Sequence, residues 1–441
     1  MFKTIRDAFK IPDLRKRLWF TLFMMIIFRL GAHIPVPFLQ KSAMQTFLGG
    51  NSGADLFSLF DVFTGGAFSN ATVMALGVSP YINASIIVQL LAVAIPALER
   101  LTKEGVEGRK KINRITRYLG IILAFVQGAG LYVTLLNYNV NAINPDNWKT
   151  FMIITLTFTA GTAFIVWLGE VITEKGIGNG VSLIIFAGIV TRIPTLLTGI
   201  YHSYLEKGVR DAKSITLAIT ILVIALAAIV LVVLFDAAER KIPVQYAKRV
   251  VGRKMYGGQS TNIPIKVVSG GVMPIIFASS IMAFPATIVR LTNGNNVSYN
   301  GFWGAVLNCF TAPSAPVWTD VVYAVLYFLL IIFFTYFYSA IQFNPIEMAN
   351  NMKKSGGYIP GYRPGKPTSD YISKVSTRLN FAGALFLGVI AVLPIIIGSV
   401  FNVQGMQIGG TSLLIMEGVA LESVRQIESQ MVMRNYKGFL E

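Results

Sequence analysis

Charge is scarce in this chain. Asp, Glu, Lys and Arg make up only 13% of its 441 residues, against about 25% in a soluble domain. Cysteine is scarcer still: the single Cys309 excludes an intrachain disulfide and any cysteine-based metal centre. The two histidines, His33 and His202, stand far apart and form no HExxH pair, so a helical zinc site is not expected. Polar stretches are short as well. The longest basic loops run about 30 residues, too few for a separate domain. Nor is there a good phosphate-binding loop. In Gly361-Tyr362-Arg363-Pro364-Gly365-Lys366 three residues lie between the glycines instead of four, Pro367 follows the Lys, and no strand is expected before it.

What fills the chain is apolar: 54% of it is hydrophobic. Ten runs can each cross a hydrocarbon layer of about 30 Å, which takes roughly 20 helical residues. The expected spans are 18–36, 72–95, 116–137, 151–172, 180–200, 215–236, 270–291, 319–343, 378–400 and 411–428, with a short amphipathic segment, Asp55–Thr64, before the second. The run Leu18–Ile34 follows a basic start (Lys3, Arg6, Lys10, Arg15, Lys16, Arg17). It is longer than a signal-peptide core and is ended by Pro35 and Pro37, so it is expected to remain as the first span. The expected fold class is an all-α polytopic membrane protein.

The net charge of +17 is unevenly spread. Loops 97–117, 237–268 and 344–378 are rich in Lys and Arg, as is the N-terminus, whereas the 401–410 connection carries no charge. The positive-inside rule then puts both termini in the cytoplasm. Basic residues beside helix ends need no further role than topology and headgroup contact. Lys248, Arg249, Arg253 and Lys254 sit in mid-loop instead, and suit an acidic partner such as ribosomal RNA or an acidic protein surface.

Few charges lie near or within the apolar runs: Arg29, Glu170, Asp236 and Glu417. A pump or ion-coupled carrier would carry more acidic groups at mid-membrane. Small residues cluster at Gly77, Ala84 and Ser85, at Gly161, Thr162 and Ala163, and at Gly270, Gly271, Ala278, Ser279 and Ser280. They let helices approach closely. The run Gly65-Gly66-Ala67-Phe68-Ser69-Asn70 is either an ordinary loop or one able to fold back into a lumen.

Several strings closely resemble the SecY family of bacterial protein-conducting channels. They are Phe28-Arg29-Leu30-Gly31 with Ile34-Pro35-Val36-Pro37, Thr64-Gly65-Gly66-Ala67, Pro80 to Leu90, Trp167-Leu168-Gly169-Glu170, Gly176 to Gly180, Gln259-Ser260-Thr261, Phe343-Asn344-Pro345, Gly357 to Gly365 and Gly409 to Ile415. They occur in the family's order over essentially the whole chain.

The resemblance implies two five-helix halves, 18–200 and 215–428, around an hourglass pore. The cytoplasmic N-terminus would be 1–17, the external hinge-side loop 201–214 and the cytoplasmic tail 429–441. The family's pore ring falls on Val78, Ile82, Val181, Ile185, Ile276 and Ile415, an aliphatic waist of a kind that dewets and blocks ions when empty. Its plug falls on about 55–70, through Asp55, Phe60, Thr64, Gly65, Gly66 and Asn70. Nominated for a lateral gate are Asn83, Gln89, Gln127, Ser279, Ser280 and Phe284. Docking of the SecA ATPase and the ribosome falls on Lys248, Arg249, Arg253, Lys254, Lys353, Lys354 and Arg363.

SecE and SecG subunits, membrane lipids, and secretory and membrane-protein substrates with signal sequences are the other implied partners. No cofactor is implied, and the location would be the bacterial cytoplasmic membrane. Glu417 departs from a family position that commonly holds Val. It lies about 200° around a helix from Ile415 and is expected to pair with a neighbouring helix or subunit. A secondary transporter for a small solute is the alternative, but it would need a polar midplane site. An intramembrane enzyme ranks last, since no catalytic constellation stands out.

Overall fold

The structure is a computed structural model that describes residues 2–42, 44–45, 61–137, 143, 147–201, 212–246, 249–251, 254–256, 260–268, 270–293, 310, 317–401 and 408–437. The chain divides into two compact units. One comprises Met1–Ala218, Ser280–Asp320 and Gly418–Glu441, the other Ile219–Ser279 and Val321–Glu417.

The first unit opens with α1 (Phe2–Lys10) and α2 (Pro12–Gly31). Pro12 and Asp13 occupy the first turn of α2 and Arg29 its last, so ring geometry and charge both match the helix ends. The second expected span is helical only as α3 (Ser79–Ala94); residues 72–78 before it are turns and a bridge. Pro96 disfavours helical backbone at Ile95, which is extended (φ −107°, ψ 114°). The chain therefore bends by 106° into α4 (Pro96–Lys103).

Two long helices follow, α5 (Val106–Asn137) and α6 (Trp148–Lys175), then α7 (Gly180–Tyr201). Small residues set the approach of the helices. An added Cβ at Gly120 would stand 3.4 Å from the Tyr81 backbone, and one at Gly128 would stand 3.5 Å from Phe158. Thr21 of α2 accepts the Ile177 N–H at 3.1 Å, tying the first helix pair to the turn before α7.

The second unit contains α8 (Ala212–Ala237, from Ile219 onward), α10 (Val317–Gln342), α11 (Pro345–Lys354) and α12 (Lys366–Phe401). Two further helices, α9 (Met273–Asn293) and α13 (Ile408–Lys437), are shared between the units. Each of the ten expected spans falls on a helix, with shifted ends. Among the described residues four helices are long and apolar enough to cross a membrane, or five if the bent α3–α4 pair is one span. Trp19, Leu22, Phe23, Ile26 and Leu30 of α2 are exposed. A soluble protein rarely leaves so large an apolar strip uncovered, whereas lipid covers it without cost.

The two basic loops of the second unit fold together. Strands β1 (Glu239–Tyr246) and β4 (Ser260–Lys266) pair antiparallel over seven residues, Glu239↔Lys266 to Gln245↔Ser260. β2 (Arg249–Val251) and β3 (Lys254–Tyr256) make a separate hairpin. The short β5 (Gly357–Tyr358), from the other loop, pairs with β1 at Tyr246 and Gln245. Ile242 and Val244 alternate inward from β1 and join Ile265, Met352, Ile359 and Ile372 in one apolar cluster. β5 corrects the expectation that no strand precedes Gly361. Its place at a sheet edge, together with the glycine spacing, still leaves no phosphate cradle there.

Candidate functional site

The residues of the glycine-rich run and their neighbours form a densely hydrogen-bonded loop in the first unit. Residues 61–63 make one helical turn and 64–71 continue in turns. Gly66 N–H donates to Asp61 O at 2.8 Å, and the Asn70 side chain donates to Gly66 O at 2.8 Å. Thr64 and Ser69 hydroxyls donate to Asp61 O and Gly66 O. Phe68, Ala71 and Ala75 plug the loop into an apolar cluster with Val36, Leu131, Leu135 and Phe158. The exit is stitched to the chain after α2: Val36 N–H donates to Ala71 O, and Val73 N–H to Ile34 O, both at 2.9 Å.

Two arginines from different helices reach this loop. Arg29 of α2 donates from Nη1 to Gly65 O at 2.8 Å. Arg192 of α7 forms an ion pair with Asp61 through Nη2 and Oδ2, and the same nitrogen reaches Ser69 Oγ at 3.3 Å. The second Asp61 oxygen accepts the Ser69 N–H at 2.7 Å. Backbone meets backbone at Gly65, where an added Cβ would stand 2.9 Å from Gly188 Cα; its φ of +65° also disfavours other residues. Behind the loop, a Cβ on Gly161 of α6 would strike Val73 O, so the glycine permits that approach as well.

Of the nominated plug residues, Thr64, Gly65, Gly66 and Asn70 lie in this loop, while Asp55 and Phe60 lie outside the described residues. Asp61 and Ser69 fall within the expected 55–70 range without having been singled out, and Gly188 and Arg192 lay outside it. Arg192 interrupts an apolar run just as Arg29 does, and that break in the hydropathy pattern was the available signal.

Val78 is the N-cap of α3 and accepts the Ile82 N–H at 3.0 Å, which puts the two one helical turn apart. Val181 opens α7 and rests a methyl against Gly169, where a Cβ would stand 3.0 Å away; Ile185 is buried one turn on. Ile276 and Ile415 are buried in the second unit. Asn83 and Gln89 lie on α3, where the Gln89 amide donates to Ser85 Oγ at 3.2 Å, and Gln127 lies on α5. Ser279, Ser280 and Phe284 lie on α9, where the Ser279 hydroxyl donates to Ile276 O.

Lys353 and Lys354 end α11, and Arg363 is exposed in the turn beyond β5. Arg249 and Lys254 fall in β2 and β3; Lys248 and Arg253 lie outside the described residues. Among the charges near or within the apolar runs, Glu170 is paired with Arg117 through two contacts, Nη2–Oε2 at 2.6 Å and Nε–Oε1 at 2.9 Å. Glu417 is buried, 9% exposed. Among the described residues no group of three or more His, Cys, Asp or Glu could hold a metal ion.

The SecY family model matches residues 72–424. The protein translocase subunit SecY of Streptomyces scabiei is 45% identical over 450 residues, and that of Halalkalibacterium halodurans 44% over 444, each match covering 100% of both chains. A solved structure of a protein-conducting channel superposes with a TM-score of 0.66 at 18% identity, covering 94% of this chain and 92% of that one. Sec61 in the canine ribosome-channel complex of the endoplasmic reticulum gives 0.62 at 18% identity, with the same coverage.

Proposed function

This chain belongs to the SecY family, and on that premise we propose that it is the channel-forming subunit through which unfolded secretory polypeptides cross the bacterial cytoplasmic membrane. Hydrophobic segments would leave it sideways into lipid. The observation that carries this reading is identity of 44–45% to protein translocase subunits along the full length of both chains.

The local geometry supports it. The 61–72 loop is a compact stopper, held by Phe68 in an apolar socket and by hydrogen bonds to backbone and side chains. Val78, Ile82, Val181 and Ile185 supply aliphatic groups with no strong bond to offer a passing side chain. The waist positions that the family resemblance implies in the second unit, Ile276 and Ile415, are aliphatic as well. An aliphatic constriction dewets when empty and tolerates any sequence when full. Spans 1–5 and 6–10 are the two halves, opening between α3 and α9 at Asn83, Gln89, Gln127, Ser279, Ser280 and Phe284. A central Asp or Lys in a transiting segment costs about 2.5–3.5 kcal/mol in lipid, so apolar segments exit and polar ones continue.

Both termini and the sheet of the second unit face the cytoplasm. The two basic loops that build it carry the residues at which SecA and the ribosome dock, while SecE and SecG complete the complex. The experiment is motor-driven uptake: reconstituted with these subunits and SecA, the chain protects a secretory precursor from protease when ATP is present. An intact complex with an active motor and no protection returns the account to a solute transporter.

A further inference from the structure

We propose that the Asp61–Arg192 ion pair is the latch that keeps the 61–72 loop seated, and that its strength sets how readily the channel opens. This rests on the channel reading above and names the residues that regulate it. The pair is enclosed, with side chains 8% and 22% exposed. Asp61 uses one carboxylate oxygen for Arg192 and the other for the Ser69 N–H, and Arg192 also reaches Ser69 Oγ. One carboxylate and one guanidinium thus close the loop on itself and dock it to α7.

The other contacts are of a different kind. Arg29 bonds a backbone carbonyl, Gly65 meets Gly188 backbone to backbone, and Phe68 is buried among apolar groups. Only the ion pair joins two full opposite charges, and that attraction falls as the local dielectric rises. A polypeptide that wedges the loop and admits water therefore weakens the latch further, so seating and release are two states rather than a continuum.

The latch is also incomplete. The Arg192 Nε is buried with no hydrogen-bond partner among the described residues. A guanidinium with a donor left dry is held less firmly than a fully satisfied one, which suits a contact that must break.

The test uses intact translocase in proteoliposomes carrying Asp61→Asn, Arg192→Gln or both, with passive iodide leak measured per assembled complex alongside precursor protection. Each single variant buries a lone charge, so its leak should rise roughly tenfold or more over the parent. The double variant buries none, so its leak should fall between parent and singles, about fivefold above the parent. The double variant carries the comparison if a single one fails to assemble. Leaks equal to the parent, or effects of the two changes that simply multiply, overturn the latch while normal precursor protection leaves the channel intact. Loss of protection in the parent complex overturns the channel and the latch with it.

Discussion

Gly188 of α7 lies so close to Phe63 that a Cβ on the glycine would stand 2.2 Å from the Phe63 carbonyl oxygen. A backbone atom cannot swing aside as a side-chain tip can. The 61–72 loop is therefore seated by a contact that only glycine permits. Gly188→Val should lift the loop, with an overpacking cost of about 1–3 kcal/mol. Thermal unfolding in detergent and ion leak in liposomes should both report it, and parent values in both would refute the contact.

Arg117 and Glu170 hold α5 to α6 through two charge-assisted hydrogen bonds. Removing one partner leaves the other charge unpaired. The Arg117 and Glu170 side chains are 47% and 25% exposed, so Glu170→Leu or Arg117→Leu alone should cost about 0.2–1 kcal/mol of stability. The double replacement by Leu should be milder than either single change, because it leaves no lone charge. A double variant less stable than both singles contradicts this.

Ile242 of β1 joins the two basic loops into one body by packing against Met352, Ile359 and Ile372, and is 2% exposed. Ile242→Ala should cost about 2–5 kcal/mol, loosening the sheet while sparing the helices. The expected pattern is normal membrane insertion with increased protease cleavage in both loops. Cleavage confined to one loop would mean that they are independent.

Arg363 stands exposed in the turn after β5, its carbonyl accepting the Thr368 hydroxyl at 2.8 Å. That bond involves backbone only on the arginine side, so changing the side chain should not disturb the turn. Arg363→Glu should lower transport with SecA and with ribosomes, leaving membrane insertion intact. Unchanged rates with both would remove this residue from the docking surface.

The helices were legible because span length and apolarity are properties of a continuous run, visible without any partner. Their ends were less so: 72–78 is apolar enough to read as span, yet Gly77 (φ +56°) and the stitching of Ala71 and Val73 to the chain after α2 hold it out of the helix. The sheet left a weaker trace. Ile242 and Val244 alternate with polar or proline neighbours, as do Ile263 and Ile265 on the facing strand, but the density of basic residues masked the pattern. The loop's glycines were visible as a motif. Its cradle was not, because Arg192 and Ser69 are 123 residues apart and nothing local joins them.

Glu417 was expected to pair with a neighbour, and its burial makes the carboxyl sensitive to change. Glu417→Gln should lower complex stability or alter gating, measured by detergent melting and by leak. No effect on either would leave the residue without a role.

The most direct measurement of the central claim uses the single native thiol to advantage. With Cys309→Ser in place, Asn83→Cys and Phe284→Cys put a reducible link across the proposed side gate. ATP-dependent protection of a secretory precursor should be lost when the pair is oxidised and return with reductant. Efficient disulfide formation with undiminished protection would contradict it.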